Sequence, residues 1–348
     1  MPIIELIQPQ NDITISVLAP KQRDFLDNRD FSNLRASDDE LVDWLGLKQD
    51  DTGDNSIPRP IIFTWNKIPA TSLNYVLEIA TDPDFQDVVR QIKTRNTRQA
   101  VWNLPQGQAY YWKVYSEGLM NVSETRMFST EPDVPRWLFV GGLTNVRDCG
   151  GWMTSSGVRI KQGLLYRGSE MDRHHAITPL GRIAIKDDLK LKTDLDIRGD
   201  TEIPIDYVPP LENDGVGWIN IPIAPYADIG QPKEKLQYKK LFEFLSTPEI
   251  YPAYCHCWGG ADRTGTVCLL LNAILGVKDQ DLILDYELTS CAIYGARKRN
   301  FKLFAELLDL LDQYASKDEP LETKATNFLL DAGISDETIQ NIKSIFLE

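Results

Sequence analysis

Positive charge is what this 348-residue chain most plainly lacks: 37 lysines and arginines stand against 51 aspartates and glutamates, a net charge of −14. So acidic a protein is repelled by nucleic-acid phosphates and by anionic membrane faces, and neither is expected as a partner. Cysteine is scarce as well. Five residues, an odd number without framework spacing, argue against a disulfide scaffold. Histidine is scarcer, at three. Two of these, His174 and His175, follow Asp172 and read as an exposed turn; neither a metal nor another cofactor is expected. No apolar stretch approaches the roughly 18 residues of a membrane span. The start, MPIIELIQPQNDITISV, has no basic opening and no long apolar core, so it does not read as a leader peptide. The expectation is therefore a cytoplasmic protein. Repeats and low-complexity tracts are also missing.

What is present suffices for two cores, since 42% of the residues are hydrophobic and the chain is long. Three parts are distinguishable. Residues 1–56 are polar, with a strand-like run at 13–18, an expected helix near 38–47, and an aspartate-rich cluster at 49–55 that reads as a solvated linker. Residues 57–134 carry strand-length runs at 60–65, 74–80, 100–104, 109–115 and 128–130, divided by turn residues. The aromatics Trp65, Tyr75 and Trp112 are assigned to its core. The prolines Pro132 and Pro135 restrict the backbone and mark a linker. Residues 135–348 alternate strand and helix, which points to an α/β layer. Strands are expected at 139–146, 164–167, 193–197, 217–223 and 250–255. Helices are expected at 178–189, 233–246, 263–275, 279–293 and 296–314.

The most informative stretch is YCHCWGGADRTG at residues 254–265. An apolar strand delivers Cys257 to a glycine-rich turn, Arg263 follows six positions on, and a helix begins there. Five residues between cysteine and arginine can curl their N–H groups into one concavity, a nest for an oxyanion. The helix start adds free N–H groups and the positive end of its dipole. Gly259 and Gly260 allow angles that side chains forbid, and Arg263 offers a planar fork for two phosphate oxygens. That field favours an anionic sulfur, so Cys257 is expected to attack phosphorus and form a covalent intermediate. Thr264 is a candidate donor to the sulfur, and His256 is read as orienting the loop rather than as a base. Trp258, Ala261 and Asp262 complete the expected substrate-binding turn.

This constellation resembles the cysteine-dependent protein tyrosine phosphatases, including their dual-specificity branch, and within them the bacterial tyrosine/serine phosphatases whose loop reads HCxAGKDRTG. Two further segments carry the likeness: NVRDCGG at 145–151 with GLLYRGSE at 163–170, and a C-terminal helical hairpin over 325–347 broken at Gly333. The likeness covers about residues 137–348. It implies an α/β phosphatase domain with a central sheet flanked by helices, acting on phosphorylated protein or peptide without metal. The chain departs from the family pattern at Ala261, where lysine is usual, which lowers the expectation for inositol phosphates or phosphoinositides. A small phosphate ester remains an alternative substrate, and a non-catalytic phosphate-binding module an alternative function. Residues 57–131 resemble a fibronectin type III-like sandwich, placed before the phosphatase domain.

Departure of an alkoxide or phenoxide is helped by a proton donor. Asp228, in the loop 224–232 between a strand and a helix, lies where tyrosine phosphatases carry their mobile acid. Asp196 is the second candidate, with Arg198 and Glu202 as its supporting pair. Asp262 is read as tuning water attack or ordering the loop amides, and Arg147 with Asp148 as lining the cleft or forming a structural turn. Cys149, Cys268 and Cys291 are possible disulfide partners for the nucleophile, and Cys255 is a small buried thiol.

Overall fold

The computed structural model describes residues 4–27, 53–67, 74–117, 122–293 and 296–347. The helix expected near 38–47 lies outside these, as does most of the aspartate-rich cluster. The chain forms two compact units. One holds Met1–Leu18 and Arg59–Val134; the other holds Ala19–Pro58 and Pro135–Glu348. The described residues among the first 56 fall partly in one unit and partly in the other.

The first unit is built of strands. A three-stranded sheet orders β1 (Leu6–Gln8), β3 (Ile61–Trp65) and β6 (Arg98–Val101). A five-stranded sheet orders β2 (Ile13–Ile15), β8 (Arg126–Thr130), β7 (Ala109–Ser116), β4 (Tyr75–Ala80) and β5 (Val88–Thr94). Along β7 burial alternates residue by residue, which sends Tyr110, Trp112 and Val114 inward. There Trp112 meets Phe63 edge to face at 5.0 Å, and Phe128 stacks on Tyr110 at 5.4 Å. Trp65 and Tyr75 are buried in the same core. Strand β5 has no sequence expectation because VVRQIKT is an edge strand with Arg90 and Lys93 in it. Such charges protect an open edge and blur its apolar pattern.

The second unit is an α/β layer. Its sheet orders β12 (Gly217–Asn220), β11 (Thr193–Asp196), β13 (Ala253–His256), β10 (Leu165–Gly168) and β9 (Arg147–Asp148). All pairs are parallel except β9 with β10. Strand β13 is central, flanked on both sides, and all four of its residues are buried. The expected strand at 139–146 is instead irregular. Gly142 takes a φ of +92° and sits so close to Ala176 that a Cβ would lie 2.1 Å from its carbonyl oxygen, so this stretch turns rather than extends.

Helix α1 (Pro20–Asp27) precedes the sheet, and α2 (Pro179–Ile183) is capped by Thr178, whose hydroxyl accepts from Gly181 N. The others are α3 (Pro232–Leu245), α4 (Arg263–Ile274), α5 (Asp279–Glu287), α6 (Lys302–Leu311), α7 (Leu321–Asp331) and α8 (Asp336–Phe346). Helix α4 is mostly apolar, and every residue from Thr264 to Ile274 is buried, so it runs through the core. Helix α6 begins at Lys302, not near 296. The Ser290 hydroxyl engages both N and O of Arg297, and Glu287 accepts from Arg299 N, which holds 297–299 away from the helix. From α1, the buried Gln22 donates to Asn55 O at 2.9 Å. The buried Ser56 in turn accepts from Asn145 N at 2.9 Å.

Candidate active site

Strand β13 ends at His256, and the turn from Cys257 to Asp262 links it to α4. The carbonyls of this turn all point outward. Cys257 O lies 3.1 Å from His256 Nδ1, Trp258 O accepts from Glu170 N, and Gly259 O and Gly260 O both accept from Asn145 Nδ2 at 3.1 Å. Gly260 O also accepts from Arg167 Nη2 at 2.8 Å, and Ala261 O and Asp262 O accept from Gly265 N and Thr266 N. With carbonyls so engaged, the trans peptide planes turn the following N–H groups the opposite way. Gly260 carries the left-handed φ, at 65°; a Cβ there would lie 2.3 Å from Gly168 O.

Two residues far off in sequence fix that arrangement. Arg147 donates to Asn145 Oδ1, so the amide of Asn145 must present its NH₂ to the loop. Arg167 is held by Asp285 Oδ2 at 2.5 Å, and Arg147 lies 3.5 Å from Asp285 Oδ1. Asp148 does not line the cleft. It is buried, pairs with Arg136 at 2.6 Å, and accepts from Gly150 N and Gly163 N.

Cys257 is 3% exposed. Arg263 is in its reach: burial works against the guanidinium charge, but Glu202 and the Cys257 sulfur outweigh it and raise the Arg263 pKa. Glu202 grips the fork with both oxygens, Oε1 at 2.9 Å from Nη2 and Oε2 on Nη1, and also accepts from Gly199 N at 2.8 Å. Arg263 in return holds the Glu202 carboxyl below the usual carboxylate range. Arg198 and Glu202 are therefore not a pair. Arg198 sits among Asp196, Glu170 at 2.8 Å and Asp172 at 2.9 Å.

Asp196 is fully buried, and both its oxygens are occupied by Arg198. Burial alone would raise its pKa, but the His256 charge and the Arg198 bonds prevail and lower it. An aspartate so placed has no proton to offer a leaving group. Beside it, His256 lies 2.9 Å from Asp194. Burial disfavours its charge, yet Asp194 and Asp196 push its pKa up to about 9. The Thr264 hydroxyl is buried and has no hydrogen-bond partner among the described residues. Trp258 is 41% exposed and meets His174 edge to face at 5.0 Å.

Asp228 is exposed, on the short helical turn Tyr226–Gly230. It lines a cavity of about 280 Å³ together with Asp262, Arg297, Phe301, Leu303 and Glu306. Asp262 is engaged by Arg297 through Nε at 2.9 Å and Nη2 at 3.2 Å, and by the Tyr226 hydroxyl. Arg297 had no sequence signal, since its partner is 35 residues away. The buried thiols of Cys149 and Cys268 lie 3.5 Å apart, and all five cysteines are free and buried. Among the described residues no cluster suits a metal ion and no helix is long and apolar enough to cross a membrane.

Residues 138–348 match the model of the tyrosine phosphatase family. The match spans more than half of the chain, and the protein belongs to that family: it is a phosphoric monoester hydrolase. Among solved structures it is similar to the core catalytic domain of the PP-IP phosphatase SIW14 from S. cerevisiae in complex with citrate. The identity is 19% and the TM-score 0.31, over 49% of this chain and 93% of that one. A second structure of the Siw14 catalytic core matches at 19% identity and a TM-score of 0.30, over 47% of this chain and 88% of that one. No curated protein matches the chain.

Proposed function

We propose that the protein dephosphorylates phosphotyrosyl, and with lower efficiency phosphoseryl or phosphothreonyl, peptides through a cysteinyl-phosphate intermediate. The observation carrying this reading is the outward engagement of every carbonyl from Cys257 to Asp262. In trans peptides this turns the loop N–H groups the other way, and the Cys257 sulfur interacts with the Arg263 guanidinium, which supports an oxyanion site there. The Cys257 sulfur attacks phosphorus, the P–O bond to the leaving group breaks, and Asp228 gives that oxygen its proton. Water then attacks the phosphocysteine, the P–S bond breaks, and the Asp228 carboxylate takes the water proton. Glu202 takes an N–H from each terminal nitrogen of Arg263 and the Cys257 sulfur engages the guanidinium as well; the N–H groups left over serve phosphate oxygens.

The walls of the neighbouring cavity favour a substrate of low charge. Asp228, Asp262 and Glu306 supply three carboxylates against the single cation of Arg297, while Phe301 and Leu303 supply apolar surface. Such a wall suits an aromatic ring and repels a polyanion. The strand-built unit, with its two sheets and core tryptophan, is assigned to the fibronectin type III-like sandwiches.

The test is the ratio of kcat/KM for a phosphotyrosyl peptide, its phosphoseryl counterpart and an inositol pyrophosphate, measured in EDTA. The expected order is the one just given, with turnover abolished in Cys257→Ser while phosphopeptide binding persists. Faster turnover of the inositol substrate would overturn the substrate assignment. Activity surviving in Cys257→Ser would overturn the mechanism.

A further inference from the structure

The turn that carries Asp228 is docked onto the phosphate loop at two points of one residue. The backbone N–H of Tyr226 donates to Thr266 Oγ1 at 3.1 Å, and Thr266 Oγ1 donates to Asp262 O at 2.9 Å. The Tyr226 hydroxyl donates to Asp262 Oδ1 and lies 3.1 Å from the Tyr286 hydroxyl. Tyr226 adopts a φ of 57°, a left-handed conformation disfavoured for any side chain other than glycine. It keeps that conformation because both ends of the residue are tied. On its far side Asp262 is gripped by Arg297 through both carboxylate oxygens. The ring of Tyr226 also meets Tyr286 at 6.4 Å and Phe301 at 6.1 Å.

We propose that Tyr226, Asp262 and Arg297 form a clamp that holds the acid-bearing turn closed over the phosphate loop, so that Asp228 is positioned before substrate arrives. These are positioning residues; they act on the reaction through Asp228. Asp262 is thereby assigned to holding the turn rather than to activating water. Burial, with Tyr286 and Asp262 beside it, keeps the Tyr226 phenol far above its ordinary pKa, so this hydroxyl remains the donor in the pair. The proposal rests on Asp228 being the acid, as argued above.

The dependence of kcat/KM on the leaving group tests it, since a phenoxide of high pKa needs the proton and a dinitrophenoxide does not. Phenyl phosphate and 2,4-dinitrophenyl phosphate are compared for wild type, Tyr226→Phe, Arg297→Met, Arg297→Lys and Asp228→Asn, each checked for an unchanged melting profile. Expected is a loss of about tenfold or more on phenyl phosphate in Tyr226→Phe and Arg297→Met, with a much smaller loss on the dinitrophenyl ester. Arg297→Lys recovers part of it, because a lysine still pairs with Asp262. Asp228→Asn shows the same selectivity in stronger form. If Asp228→Asn is selective while Tyr226→Phe and Arg297→Met slow both esters alike, or neither, the clamp is refuted and the acid stands. If Asp228→Asn shows no selectivity, the acid assignment falls, and the clamp with it. Should Arg297→Met fail to fold, Tyr226→Phe and Arg297→Lys decide the matter.

Discussion

Glu202 and Arg263 meet fork to fork, with both carboxylate oxygens on the two terminal nitrogens of the guanidinium. The pair fixes the plane in which Arg263 presents its remaining donors. Glu202→Ala is expected to raise the inhibition constant of vanadate and lower kcat/KM by about tenfold, and Glu202→Gln by less, because the amide retains one acceptor. Equal activity in all three proteins would show that the fork needs no such partner.

Asn145 supplies one NH₂ to two loop carbonyls. Asn145→Ala should therefore loosen the loop and reduce kcat/KM by about tenfold. Asn145→Asp should be worse than alanine, since it sets a carboxylate oxygen against Gly259 O and Gly260 O. Steady-state kinetics on a single aryl phosphate would reveal the order; alanine proving the more damaging would contradict it.

Gly260→Ala places a methyl 2.3 Å from the Gly168 carbonyl oxygen, at a left-handed φ of 65°. Backbone faces backbone there, so the loop must shift. Activity is expected to fall at least about a hundredfold, with melting temperature lowered only modestly because the strain is local. A variant with near-normal turnover would mean the loop tolerates another path.

His256 has a pKa raised to about 9 from an ordinary 6.5, burial being outweighed by Asp194 and Asp196. A raised pKa in a base means the folded state binds the proton more tightly than the unfolded chain does. The resulting stabilisation is complete below 6.5 and is lost as pH rises through about 9. Its size is at most about 3 kcal/mol. Melting temperatures of wild type and His256→Asn should thus differ most at about pH 6.5 and below, and converge above about pH 9. A difference constant across that window would rule the linkage out.

The loop was readable in the chain because its parts are local: Cys257 and Arg263 share one turn, and α4 follows directly. The α/β alternation was readable for the same reason, through strands such as 193–196 and helices such as 232–245. What the sequence did not disclose is pairing at a distance. Glu202 was assigned to Arg198 four residues away, whereas its partner is 61 residues on. Nothing in a run of aspartates and arginines says which will meet. Arg297 was hidden by an apolar periodicity that extended the following helix too far back, and two side-chain bonds to the backbone decided otherwise. Asn145 lay in a segment marked by its resemblance, but its task became visible only with Arg147 and the two glycine carbonyls in place. Of the acid candidates, the sequence could not tell that Asp196 is sealed in by Arg198 while Asp228 faces a cavity.

Ser56 stands directly against Asn145, so a residue set between the two segments of the strand-built unit in sequence touches the residue that braces the turn after Cys257. The linker at Pro132 and Pro135 is thus a poor place to cut. A fragment begun there discards Phe25, Gln22 and Ser56, all buried, and leaves the Asn145 amide to find another acceptor. A piece that keeps all three must also carry the segment from Ala19 to Pro58, which belongs to the same unit as the Cys257 turn.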